Sequence, residues 1–144
     1  MTEDNHNTDW TPPDGWEIGR YGHTFSGRAG PFYFRKDGVA PGVGFFSEPS
    51  HGNLGNVVHG GALMTLADMA LFTVAMHNEE AYRAVTVTFN AEFLAPAPIG
   101  AFITATGEVT RRGKSLVFVR GMVSAAETDS LAFSGTLKRL PPLL

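Results

Sequence analysis

A chain of 144 residues, 43% of them hydrophobic, is long enough for one domain around one core, and its net charge of −3 offers nucleic acid no basic face. The absence of cysteine fits a reducing compartment and excludes disulfides, thiolate metal sites and a cysteine nucleophile. The acidic start Thr2-Glu3-Asp4 lacks the basic and apolar regions of a secretory signal, and the longest apolar-rich stretch, Ala62 to Met76, falls short of the about 20 residues of a membrane span. A soluble, cytoplasmic protein without a membrane partner is expected.

Residues 1–15 are polar and contain Pro12-Pro13, so they are read as a mobile tail ahead of a single domain over 16–144. Trp16, Tyr21 and Phe25 are spaced as one helical face, which predicts a short helix ended by Gly27, Gly30 and Pro31. Phe32 to Phe34 and Val43 to Phe46 read as strands, followed by a loop rich in Gly, Pro and Asn. From Gly61 to Met76 good helix formers run without an internal glycine or proline. The run is apolar nearly all round, which predicts a helix enclosed by other structure.

Beyond Glu80 the period changes to two. Val85, Val87, Phe89, Ala91 and Phe93 alternate with Thr86, Thr88, Asn90 and Glu92. Three more strands are predicted over 101–110, 115–125 and 131–140, linked by Pro96–Gly100, Arg111–Lys114 and Glu127–Ser130. The four are expected to form an antiparallel meander, giving an α+β fold in which one antiparallel sheet wraps one long central helix.

The sharpest local signal is Asn53-Leu-Gly-Asn-Val-Val-His59-Gly60-Gly61, which opens directly into the long helix. Glycines at a helix start let a ligand approach the backbone, and the first-turn N–H groups lack helical partners and sit at the positive end of the dipole. Such donors can hold an oxyanion during acyl transfer; the same pair could also serve packing alone. Asp68 lies among Leu66, Ala67, Met69, Ala70, Leu71 and Phe72. An enclosed carboxylate is costly to desolvate unless paired, and it suits a general base or a nucleophile; a structural hydrogen bond to Thr65 or to a neighbouring strand is the competing reading.

Gly60 and Asp68 are eight residues apart, about 12 Å along a helix. Donor and base must each come within roughly 3 Å of one carbonyl, which predicts a site shared between two antiparallel copies of the helix. His59 is assigned a positioning role. No serine sits on a nucleophile elbow, and His51, His59 and His77 lack metal-ligand spacing, so no metal site is expected. Arg111-Arg112-Gly113-Lys114 reads as a solvated hairpin turn able to meet a phosphate. Met64, Met69, Leu71 and Phe72 are core or acyl-pocket residues by spacing.

These residues resemble the hotdog-fold acyl-CoA thioesterases of the phenylacetic-acid-degradation (PaaI-like) type. The resemblance covers 32–140 and rests on Asn53, His59-Gly60-Gly61 and Asp68, on Val85-Thr-Val-Thr-Phe-Asn-Ala-Glu-Phe-Leu-Ala-Pro-Ala97, and on Arg112-Gly-Lys-Ser-Leu116. It implies hydrolysis of an acyl- or aryl-CoA, with Asp68 as the nucleophile or activating water, and with Gly60 N–H and Asn53 polarising the carbonyl or orienting that water. It implies that a hydroxyl at Thr86 helps hold water, although a helix-facing Val85 and Val87 would turn Thr86 away. Coenzyme A contacts are implied at Gly61, Thr88, Phe93, Arg111, Arg112, Gly113, Lys114, Ser115, Leu116 and Arg139, with no metal or cofactor. A homodimer paired into a homotetramer is implied as well. Asn56 stands where the family usually has glycine, a position asparagine tolerates at positive φ.

A hydratase of this fold would pair the aspartate with a histidine five residues later, where this chain has Thr73. A non-catalytic acyl-CoA sensor is the other alternative, and retention of Asp68 speaks against it.

Overall fold

A computed structural model describes residues 11–36, 38 and 40–143. Most of the expected tail, residues 1–10, lies outside the described residues. The elements run β1 (Trp16–Ile18), α1 (Phe25–Ala29), β2 (Phe32–Arg35), β3 (Gly42–Phe46), a 3-10 turn at Pro49–His51, α2 (Gly60–Ala75), β4 (Arg83–Phe93), β5 (Phe102–Arg112), β6 (Leu116–Ala125) and β7 (Thr128–Leu140). All strands pair antiparallel in one seven-stranded sheet of order β1-β2-β3-β5-β6-β7-β4.

The sheet curls over one side of α2. Leu63, Leu66, Ala67, Ala70, Leu71, Val74 and Ala75 of the helix are buried against Val43, Phe45, Ile103, Val117, Val119, Leu131 and Leu137 of the strands. Each large aliphatic side chain buried there contributes roughly 1.5–3 kcal/mol. Gly135 sets the spacing of sheet and helix, since a Cβ there would stand 2.5 Å from Leu71 Cδ1. The opposite side of α2 is not enclosed within the chain: Gly61 and Met64 are exposed, and Thr65, Asp68, Met69, Phe72 and Thr73 are half-buried. One antiparallel sheet wrapped around one long helix is the fold expected from the sequence. Among the described residues, no helix is long and apolar enough to cross a membrane.

Three expectations are corrected. The helix placed over Trp16–Phe25 is instead strand β1 followed by a loop and α1. Gly22 takes φ of +57°, and the helix starts only at Thr24, whose Oγ1 caps the Gly27 N–H at 3.3 Å. The four-strand meander is a meander of β5, β6 and β7 only, with β4 placed beyond β7 as an edge strand. The last hairpin turns at Ala126-Glu127, where Ala126 has φ of +54°, so Thr128 to Ser130 belong to β7.

The alternation along β4 also breaks. Thr86 pairs with Leu137 and Thr88 with Thr136, so Val87 is an extra residue in a β-bulge. A one-residue insertion exchanges the faces of everything on one side of it. Thr86 therefore shares the helix side with Phe89 and Ala91, while Val85 and Val87 are 42% and 48% exposed. Val85 and Val87 do not face the helix, so the condition under which Thr86 would turn away is not met.

Candidate active site

Asp68 sits on the open side of α2, half-buried. Because the bulge turns Thr86 inward, its hydroxyl donates to Asp68 Oδ1 at 2.7 Å. Oδ2 accepts no hydrogen bond among the described residues. The carboxylate lines a cleft of about 390 Å³ walled by Phe25, Met64, Thr65, Met69 and Phe89. The hydrogen bond to a neighbouring strand exists, yet it leaves one oxygen to the cleft. The two helical threonines beside Asp68 are occupied elsewhere: Thr65 donates to Gly61 O at 2.8 Å, and Thr73 to Met69 O at 3.1 Å.

The entry to α2 is built by local polar contacts. Asn53 Oδ1 accepts the Gly55 and Val57 N–H groups at 2.9 and 3.3 Å, closing a turn in which Asn56 takes φ of +61°. This leaves the Asn53 side-chain amide to donate outward. His59 is the N-cap of α2, and its Nδ1 accepts the Gly61 N–H at 2.8 Å. A ring accepting at Nδ1 carries its proton on Nε2, so His59 is positioned as a cap with one outward donor. With Gly61 capped, the Gly60 N–H is left without an acceptor among the described residues. Gly60 and Asn53 line a second cleft of about 350 Å³ with Phe93, whose ring would stand 3.0 Å from a Cβ at Gly60.

Among the described residues, the Gly60 cleft and the Asp68 cleft have no lining residue in common. The two clefts therefore open separately within one chain.

The remaining expected substrate-binding residues are scattered. Gly61 and Phe93 stand at the start of α2. Arg112 lies at its far end, where its Nε pairs with Glu79 at 3.2 Å. The turn between β5 and β6 is closed by Gly113 N–H donating to Leu116 O at 2.8 Å, with Arg111, Lys114 and Ser115 exposed. Ser115 O accepts the Arg139 N–H, and the Arg139 guanidinium lies 4.1 Å over the Tyr82 ring. Thr88 lies on the sheet face away from α2, beside Thr110 and Phe118, and so apart from the rest. Phe25 is the residue that sequence reasoning missed: α1 carries it onto the Asp68 cleft from outside the long helix. The cap signal at Thr24 and the stop at Gly30-Pro31 were its sequence traces.

A sequence model of the thioesterase superfamily matches residues 55–132. The chain is 31% identical over 88 residues to mouse acyl-coenzyme A thioesterase 13, a match covering 61% of this chain and 63% of the mouse protein. Among solved structures, the E. coli PaaI protein of the phenylacetic acid degradation operon aligns with a TM-score of 0.68 at 23% identity, over 76% of this chain and 80% of that one. A Bacillus halodurans protein crystallised with CoA aligns with a TM-score of 0.64 at 26% identity, over 69% of this chain and 66% of that one.

Proposed function

The chain belongs to the thioesterase superfamily and has its hotdog fold, and from that premise we propose that it hydrolyses an acyl- or aryl-CoA thioester to a free acid and coenzyme A. The observation that carries the reading is Asp68: a carboxylate fixed through one oxygen by Thr86, with the other left to an apolar cleft. The mouse relative's name and the CoA held by the Bacillus protein support the substrate class.

In this reading Asp68 takes the proton of a water that attacks the thioester carbonyl carbon. The C–S bond then breaks, and the sulfur leaves as the coenzyme A thiol. The alternative course has Asp68 attack the carbonyl itself, forming a mixed anhydride that water cleaves. In either course negative charge grows on the carbonyl oxygen. The Gly60 N–H, at the positive end of α2 and next to the outward amide of Asn53, is the donor matched to it. His59 holds the first turn in place through its cap.

The separate clefts support a two-chain site. We assign Gly60 and Asn53 to one subunit and Asp68 with Thr86 to the other, in a homodimer that pairs the open sides of α2. The surface such a partner would cover is apolar: Met64 on α2, and Val85 and Val87 on the edge strand β4. A dimer of dimers extends the same arrangement. The turn Arg111–Leu116, at the other end of α2 from Gly60, supplies exposed cations for the coenzyme A phosphates.

Hybrid oligomers test the shared site. Asp68→Ala and Asn53→Ala chains, each inactive alone, are expected to regain partial activity when unfolded and reassembled together, because one intact site of the two survives. Hybrids as inactive as the parents, while still oligomeric, overturn the shared arrangement.

A further inference from the structure

The Asp68 cleft does not end at Phe25. A cleft of about 380 Å³ lies on the other side of that ring and shares Phe25, Gly61 and Thr65 with it as lining. The element that divides them is firmly placed. His51 accepts the Glu48 N–H at Nδ1, so its protonated Nε2 donates to Ala29 O at 2.6 Å, tying the end of α1 to the loop that enters α2. Phe25 and Arg28 of this short helix are thereby held over the open side of α2.

The two chambers differ in chemistry. The first has Asp68 at one end and Phe25, Met64, Met69 and Phe89 as apolar walls. The second is lined by Arg28, Ser50, His51 and His59 and, among the described residues, by no carboxylate. Arg28 has no ion-pair partner among the described residues. His59, its Nδ1 taken by the Gly61 N–H, presents Nε2–H, and Ser50 adds an exposed hydroxyl. On a chain of net charge −3, this is a locally electropositive pocket. From Asp68 to Gly61 is seven residues, about 10 Å along the helix.

We propose that this second chamber is an anion subsite of the same active site: with the thioester carbonyl at Asp68, an anionic group of the substrate reaches past Phe25 on an apolar stem and is held by Arg28, with His59 Nε2–H and the Ser50 hydroxyl as further donors. The inference rests on the thioesterase reading and adds to it a requirement on the substrate. Two sources offer the anion: a carboxylate at the far end of the acyl group, or a phosphate of coenzyme A that the Arg111–Leu116 turn does not hold.

The test uses the full-length protein and four thioesters, octanoyl and octanedioyl (one carboxylate free), each on coenzyme A and on pantetheine, which lacks phosphate. Two ratios of kcat/KM are read, carboxylated over plain acyl and coenzyme A over pantetheine, for the wild type and Arg28→Gln. A charge-assisted hydrogen bond is strong enough that Arg28→Gln is expected to lower one ratio by about tenfold or more. A fall in the acyl ratio on both carriers identifies the carboxylate as the occupant; a fall in the carrier ratio identifies the phosphate. Wild-type turnover with both ratios changed less than about twofold by Arg28→Gln overturns the subsite alone. No thiol release by the wild type from any of the four, nor from benzoyl- and phenylacetyl-CoA assayed beside them, overturns the thioesterase reading and the subsite with it.

Discussion

Thr86 reaches Asp68 because Val87 is one residue too many for its partner strand. The bulge puts the Thr86 hydroxyl 2.7 Å from Asp68 Oδ1 and turns Val85 and Val87 outward. A strand without the bulge would present valine to the carboxylate and leave Oδ1 without its hydrogen bond. One irregularity in an edge strand thus orients the acid and leaves Val85 and Val87 exposed on that edge.

Removing that hydroxyl should misorient the carboxylate without removing it. Thr86→Val is expected to lower kcat by about tenfold or more with a smaller change in KM, since a positioned base contributes roughly 10²–10⁴-fold and the bond supplies only its orientation. Thr86→Ser restores the donor and should recover most of the rate. Steady-state kinetics on one acyl-CoA read both variants.

At the helix start, Gly60→Ala places a Cβ 3.0 Å from the Phe93 ring, which is itself exposed enough to swing away. The fold should therefore survive, with an unchanged denaturation midpoint, while the carbonyl's approach to the Gly60 N–H is blocked. Loss of one such donor costs about 10²–10³ in kcat. Adding Phe93→Leu to Gly60→Ala should recover little of the loss, because the added Cβ itself blocks the approach to the Gly60 N–H.

His59→Ala removes the cap on Gly61 and is expected to cost about 1 kcal/mol of stability, read by urea denaturation. His59→Asn keeps a short acceptor at the cap and should restore most of that stability, and with it the geometry of the first turn. A proton-transfer role would instead leave the asparagine variant as inactive as the alanine one.

Gly135→Ala drives a methyl group to within 2.5 Å of Leu71 Cδ1 and 2.9 Å of Thr88 O. Leu71 is fully buried and the carbonyl belongs to the backbone, so neither yields easily. Overpacking of this kind costs typically about 1–3 kcal/mol, seen as a lower denaturation midpoint.

The sequence made legible what depends on local period and capping. The long helix begins and ends within one residue of its expected limits because it lacks breakers between Gly61 and Met76, and β2, β3, β5 and β6 follow their apolar runs and turns. The positive φ at Asn56 agrees with what the resemblance implied, since the family usually has glycine there and asparagine tolerates that region. What escaped depends on contacts between distant segments. A bulge at Val87 leaves no mark in an alternating pattern, since valine and threonine both suit a strand. The place of β4 beyond β7 is decided by pairing across 38 or more residues between Phe93 and Leu131, which no local signal encodes. Trp16, Tyr21 and Phe25 have helical spacing by coincidence: Trp16 packs edge-on against Phe102 at 5.1 Å, while Phe25 serves the Asp68 cleft.

The central claim is that Asp68 drives thioester cleavage, and thiol release from a panel of acyl-CoAs by the wild type and Asp68→Asn tests it most directly. The expected result is steady coenzyme A release by the wild type and a fall of about 10²-fold or more in the variant, with acyl-CoA binding retained. Release by Asp68→Asn at the wild-type rate, or tight binding by the wild type with no release from any acyl-CoA, would contradict it.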